Sequence, residues 1–239
     1  MTTTLDTRKP RTARGAALTA AVAGPLFLLL GFAMPADGPP VATATAAQIR
    51  AYALSQVTAQ RIGALAGVAA VVVLLVLTAA FAQLVRAALP ESMLADLGAG
   101  AGYVLAGAFL LTITAGAVPT LLPGLIGTSL SAVDDAVLSG WYGFNGVLHL
   151  LGDLQMGLMA VVVGTFAIAS LRGRILPRWL AWLGVAITVS AVLGTAGVTL
   201  GWDPLYGFWF GGQYGWVLWY PAAGIALGLR NRARSPQHG

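Results

Sequence analysis

Charge is scarce in this chain, and its placement constrains the fold more than any other feature. Only 9% of the 239 residues are Asp, Glu, Lys or Arg, whereas about 25% is usual for a soluble domain. So few charges cannot cover a water-facing surface. Eleven of the thirteen basic residues lie at alternate ends of six long apolar stretches. This pattern predicts an all-α fold, a polytopic transmembrane helix bundle with both termini in the cytoplasm.

Each of the six apolar stretches is about as long as a membrane-spanning helix, which needs roughly 20 residues. The predicted spans are 16–34, 62–85, 97–118, 141–171, 179–200 and 210–229. They form one membrane domain over 16–230, flanked by a basic cytoplasmic tail at 1–15 and a cytoplasmic tail at 231–239. A basic segment before an apolar one also begins a signal peptide, but the site around Ala36 matches a cleavage site poorly. We therefore expect the first helix to be uncleaved.

The ends of the spans are marked by proline, by turn residues and by basic residues. We expect Pro35 to end the first helix and Pro119 and Pro123 to end the third, because proline lacks the N–H that a helix interior uses. The segment 44–60 has apolar residues at helical spacing among polar ones. It fits either an amphipathic helix lying on the outer face or an extension of the second span.

The net charge of +5 would indicate nucleic acid as the partner of a soluble protein. Here the basic residues form short clusters beside apolar segments, so they indicate topology and contacts with anionic lipid head groups instead. Only Arg50 and Arg61 fall on the predicted outer side. The chain has no cysteine, which excludes disulfides and thiolate metal sites. We expect no cofactor and no nucleic-acid partner.

The fourth span carries the only ionisable residues deep in a predicted span, His149 and Asp153. Together with Asn145 they follow an i, i+4, i+8 series along one helical face. A charged group at membrane depth is costly, so these side chains should face the bundle and find partners there. We treat Asn145, His149 and Asp153 as a candidate intramembrane polar site.

Three interpretations of this polar site remain open. The side chains hold helices together by hydrogen bonds to polar residues of neighbouring spans, for which the candidates are Thr112, Thr114, Tyr103 and Gln213. Alternatively, His149 and Asp153 form a proton relay or a substrate contact in a transporter-like protein. The third interpretation, in which His149 binds haem or a metal ion, is the weakest, because such sites usually need more than one protein ligand.

Aromatic residues are concentrated in the sixth span and in the segment that leads into it. Rings at this position are typical of the belt that anchors a membrane protein at the lipid–water interface. They would equally suit an aromatic-lined site for a lipid or an isoprenoid near the outer face. The candidate lipid or aromatic interface consists of Trp202, Tyr206, Trp209, Tyr214, Trp216 and Trp219.

Two stretches carry a resemblance to a known group of proteins. Residues 47–52 (AQIRAY) lead into an Ala/Gly/Val-rich helix, and residues 171–184 (LRGRILPRWLAWLG) join the fourth and fifth spans. The chain resembles a family of bacterial six-helix integral membrane proteins of unknown function that is common in high-GC actinobacteria. The resemblance implies a location in the bacterial cytoplasmic membrane. It brings no activity and no catalytic residues.

Common enzyme motifs are missing from the sequence, including the nucleophile elbow, the phosphate-binding loop and the dinucleotide-binding fingerprint. We therefore expect no catalytic residues and a non-enzymatic membrane module. Its expected partners are membrane lipids, another membrane protein or a second copy of itself. A transporter-like protein that uses His149 and Asp153 is the alternative.

Overall fold

In the computed structural model, residues 8–32 and 44–233 are described, with side chains described at 13–32, 44–144 and 155–230. Within these ranges all regular secondary structure is helical, and there is no strand. A short 3₁₀ helix, Leu130–Ala132, joins the third and fourth of the long helices. The six long helices are α1 (Arg8–Phe32), α2 (Ala46–Ala88), α3 (Leu94–Leu125), α4 (Asp135–Gly173), α5 (Arg178–Leu200) and α6 (Asp203–Ala233).

Five of the helices are long and apolar enough to cross a membrane, which indicates a multi-pass membrane protein. These five are α1 to α5, with α4 qualifying on its described part, Gln155–Gly173. Helix α6 has 31 residues and is long enough, but Asp203, Gln213 and several tyrosine and tryptophan rings dilute its apolar content.

The helices form a closed ring in which each packs against the next along the chain. Helix α6 packs against α1 and thereby closes the ring, while α2 also contacts α4 across it. Small residues allow the helix backbones to approach closely. At Gly212, a Cβ atom would lie 2.6 Å from the Cα of Ala191 on α5, and at Gly224 it would lie 2.2 Å from the main-chain oxygen of Ala20 on α1.

Aromatic rings from four helices fill the interior of this ring. Phe81 of α2 lies at their centre, with its ring centroid 5.3 Å from that of Phe166 and 5.8 Å from those of Trp219 and Tyr220. Phe27 of α1 packs on Tyr220 from the other side. All five side chains are buried. The indole Nε1 of Trp219 donates a hydrogen bond of 2.9 Å to the carbonyl of Leu180, which ties α6 to α5.

The segment 44–60 was expected to form either a separate amphipathic helix or an extension of the second span. It extends the helix of that span, because α2 continues unbroken from Ala46 to Ala88. Its first turn is closed by a capping box, in which Thr45 accepts from the main-chain N–H of Gln48 while the Gln48 side chain accepts from the N–H of Thr45. Between Ala46 and Gly63, the helix contains no glycine or proline that would break it. At 1.5 Å per residue, α2 is about 65 Å long, roughly twice the thickness of the hydrocarbon core.

Helix α3 continues through Pro119 and Pro123 to Leu125, so the expectation that these prolines end it is wrong. Prolines are tolerated inside membrane helices because neighbouring helices and hydroxyl side chains satisfy the freed backbone groups. The same segment is also bonded through side chains, because the Thr120 hydroxyl donates to the carbonyl of Ala117 and Arg61 of α2 donates to the carbonyl of Thr120. The predicted stop at Pro35 lies outside the described residues.

Candidate functional site

The predicted polar site lies on α4, which is helical throughout the segment that contains it. The i, i+4, i+8 spacing therefore places Asn145, His149 and Asp153 along one face of the helix. The side chains of all three lie outside the described residues. Their role as a polar site stays a prediction.

Gln155, which no sequence pattern indicated, makes a polar contact between α3 and the described part of α4. Its side chain is buried, and its Nε2 donates a 3.0 Å hydrogen bond to the hydroxyl of Thr112. Thr112 in turn donates to the carbonyl of Ala108. Two other expected partners on α3, Tyr103 and Thr114, are exposed on the surface of the bundle. Thr112 thus makes an interhelical hydrogen bond with Gln155, while its expected bond to Asn145, His149 or Asp153 stays a prediction.

The aromatic set of the sixth span divides into exposed and buried members. Trp202, Tyr206 and Tyr214 are exposed, as an interface with lipid requires, and Trp209 is half-buried. Trp219, by contrast, is 1% exposed and Trp216 is nearly as buried, so both belong to the protein interior. Trp216 stacks on Phe109 of α3, with ring centroids 5.6 Å apart. A role in binding lipid stays a prediction for the exposed members.

Two adjacent hollows open at one end of the bundle, which we call the basic end. It is where α1 begins, α2, α4 and α6 end, and α5 begins. The first hollow, of about 570 Å³, is lined by Arg174, Arg178 and Arg230 together with Ser170, Leu171, Leu176 and Pro177. The second, of about 350 Å³, is lined by Arg14, Arg174 and Arg230 among mostly apolar residues of α1, α2 and α6. Arg174 and Arg230 border both hollows.

Local backbone geometry places Arg174 between the two hollows. It ends α4 in the left-handed conformation, with φ of 51°, and its N–H donates to the carbonyl of Ser170. It is the one non-glycine residue with positive φ in the described part of the chain. Such a conformation costs a non-glycine residue about 1–2 kcal/mol. Arg230 stabilises this turn by donating to the main-chain oxygens of Arg174 and Ile175.

The chemistry of the two hollows favours an anion. Four guanidinium groups converge there, and no Asp or Glu is among the described residues that line them. Guanidinium groups recognise carboxylate and phosphate oxygens well because several N–H donors lie in one plane. The sequence showed these arginines only as a topology signal. Nothing in it indicated that the arginines after α4 and the one at the end of α6 border a common hollow.

At the opposite end of the bundle, Arg50 joins α2 to the segment that leads into α4. The Nε of Arg50 on α2 donates to the carboxylate of Asp135 at 2.6 Å, and its other nitrogens donate to the carbonyls of Ser131 and Val133. We call these three bonds of Arg50 the clamp. A small core of Ala53, Leu138 and Tyr142 also joins α2 to the start of α4. Every bond of the clamp goes to a protein group, so this arginine has a structural role.

Comparison of the chain with protein family models, with curated proteins and with solved structures gave no match.

Proposed function

We propose that this chain is a non-enzymatic membrane module of the bacterial cytoplasmic membrane that binds lipid or another membrane protein. It crosses the membrane six times, with both termini in the cytoplasm. The observation that carries this proposal is the packing of the interior. Aromatic and aliphatic side chains fill the described part of the ring, while the hollows and their arginines lie at one end.

The proposed sixth span is supported by the position of α6 rather than by its composition. Helix α6 packs between α1 and α5, two helices apolar enough to span. Its Trp219 and Tyr220 are buried among the core rings, so the helix shares the depth of its neighbours. The orientation is supported by the arginines at the basic end, because basic residues are retained on the cytoplasmic side. The resemblance of residues 47–52 and 171–184 to the bacterial six-helix family agrees with this architecture.

Substituted-cysteine labelling tests the orientation cleanly, since the native chain has no cysteine. Glu91→Cys places an exposed thiol at the basic end, and Ala132→Cys places one in the connection before α4. In intact cells, a membrane-impermeant maleimide should label Ala132→Cys, whereas Glu91→Cys should react only after the membrane is permeabilised. The reverse result would refute the orientation. A cytoplasm-specific fluorescent protein fused after α6 should be bright if α6 spans, and dark if it does not.

Native mass spectrometry of the intact protein released from nanodiscs tests the module itself. The proposal expects a bound lipid or a second subunit on the wild-type protein. A bare monomer that instead moves protons in proteoliposomes, with flux abolished by Asp153→Asn or His149→Ala, would favour the transporter-like alternative. Unchanged flux in both variants would exclude a proton relay through these two residues.

A further inference from the structure

We infer that the two hollows at the basic end form a binding site for the phosphate of an anionic phospholipid, with Arg174 as the residue that joins them. This inference rests on the proposed function, because it takes the basic end to face the inner leaflet. It goes beyond the proposed function by naming the two hollows as the site, an anionic phospholipid as the ligand and Arg174 as a residue on which binding of that lipid depends.

The charge of the hollows is the first support. Among the residues that the structure describes, neither the Arg174 nor the Arg178 guanidinium forms an ion pair with an acidic side chain. At the same end of the bundle, Arg86 does have an acidic partner, Asp96, at 2.7 Å. Arg174 and Arg178 therefore differ from an arginine close by whose charge is already neutralised. A phosphate placed between them would receive charge-assisted hydrogen bonds.

The backbone of Arg174 is the second support. At a left-handed position that ends a helix, glycine is the favoured residue because it has no Cβ. Glycine is present one position earlier, at Gly173, yet the left-handed residue is an arginine. A strained residue persists where its side chain is needed or its surroundings enforce it. Here, the strain places a guanidinium on the wall shared by both hollows.

The surroundings of the arginines indicate a lipid rather than a soluble anion. The second hollow is lined mainly by apolar residues, among them Ala17, Leu84 and Leu227, which suit the beginning of an acyl chain. Trp179 directly follows Arg178 in the chain, and Trp182 lies about one helical turn further along α5; both are exposed, as tryptophans that anchor a protein at head-group depth are. In the wall of the first hollow, the Ser170 side chain is 2% exposed, and its hydroxyl has no hydrogen-bond partner among the described residues.

Arg174→Gly separates binding from stability, because it removes the guanidinium and relieves the backbone at the same time. We expect phosphatidylglycerol binding, measured by native mass spectrometry in detergent, to weaken about fivefold, the effect of one basic residue beside an anionic lipid. The melting temperature should stay equal or rise. The matched control is Arg172→Gln, which removes a charge from the same end but outside both hollows, and it should bind as the wild type does. Arg178→Gln tests the first hollow independently and should also weaken binding.

Several outcomes would overturn the inference. Unchanged lipid binding in both Arg174→Gly and Arg178→Gln would show that the hollows are not the site. An equal loss in Arg172→Gln would show diffuse surface attraction instead of a built site. Equal binding of phosphatidylcholine would remove the requirement for an anion. Displacement of phosphatidylglycerol by millimolar inorganic phosphate would identify free phosphate as the ligand. Binding in detergent does not depend on topology, so an inverted orientation in the labelling experiment would refute the proposed function without changing these results.

Discussion

Substituting Gly224 by alanine tests the closure of the helix ring, because this glycine lies where α6 comes closest to α1. A Cβ at this position would lie 2.2 Å from the main-chain oxygen of Ala20 and 3.0 Å from its carbonyl carbon. Carbon and oxygen atoms in weak contact normally lie about 3.3–3.6 Å apart, so the two helices would have to separate by roughly 1 Å. No change of rotamer relieves the clash, since the contacted atoms are backbone.

Two opposing effects determine how much Gly224→Ala lowers the free energy of unfolding. Overpacking of an interior typically costs about 1–3 kcal/mol. Alanine favours a helix over glycine by about 1 kcal/mol, which offsets part of that cost. The control is Gly107→Ala in α3, where the added Cβ would meet nothing within 4 Å. Both variants share the gain in helix propensity, so Gly224→Ala should be less stable than Gly107→Ala by about 1–3 kcal/mol.

Unfolding in mixed micelles, followed by far-UV circular dichroism, measures this difference. A second pair of substitutions tests the same interface through side-chain atoms. The new Cβ of Gly228→Ala would lie 2.8 Å from the Cβ of Ala21, so adding Ala21→Gly to this variant should restore its stability. Ala20→Gly should not rescue Gly224→Ala, because the contacted atoms belong to the main chain. If Gly224→Ala proves as stable as Gly107→Ala, the close approach of α1 and α6 does not hold.

Two further predictions concern the contacts that join helices elsewhere. Trp219→Phe removes the hydrogen bond to the Leu180 carbonyl and part of a buried ring, so it should lower the free energy of unfolding by at least about 1 kcal/mol; Trp182→Phe, at a position that is 61% exposed, should change it by less than about 0.5 kcal/mol in the same chemical denaturation. Equal effects would mean that neither the bond nor the burial of the Trp219 ring contributes. Arg50→Gln breaks the clamp to Asp135 and should cost about 1 kcal/mol or less, because the pair is partly exposed, while hydrogen exchange speeds up at residues 131–138. Exchange that stays at the wild-type rate would contradict the role of the clamp.

The helical class could be predicted because it follows from properties local to the sequence. Apolar length marks a span, and the basic residue or turn after it marks the end, as with Arg86 and α2. The continuity of α2 could also be predicted, because the sequence between 46 and 62 contains no residue that breaks a helix. The prolines of α3 misled the prediction, since their cost inside a membrane helix depends on neighbours that only the fold supplies.

The sites were harder to predict because they depend on which faces of the helices meet. Trp216 and Trp219 lie in a helix whose aromatic residues recur on several sides, so composition does not distinguish the buried rings from those of an interfacial belt. Gln155 lies outside the i, i+4, i+8 series of Asn145, His149 and Asp153, and only the fold shows that it bonds Thr112 of α3. For Arg174, the left-handed backbone is a property of the turn after α4, and a Gly-Arg sequence does not reveal which of the two residues adopts it.

The contact between α1 and α6 also bears on how the chain assembles in the membrane. Ala20 and Gly224 are about 200 residues apart, so this interface joins two helices that are synthesised far apart in time. During synthesis, α1 can contact α2 early, but its α6-facing side must stay against lipid or a helper protein until α6 is made. Contacts so distant in sequence form late and slowly. A nascent chain stalled before α6 would therefore expose that side of α1, and quality-control proteases could recognise it.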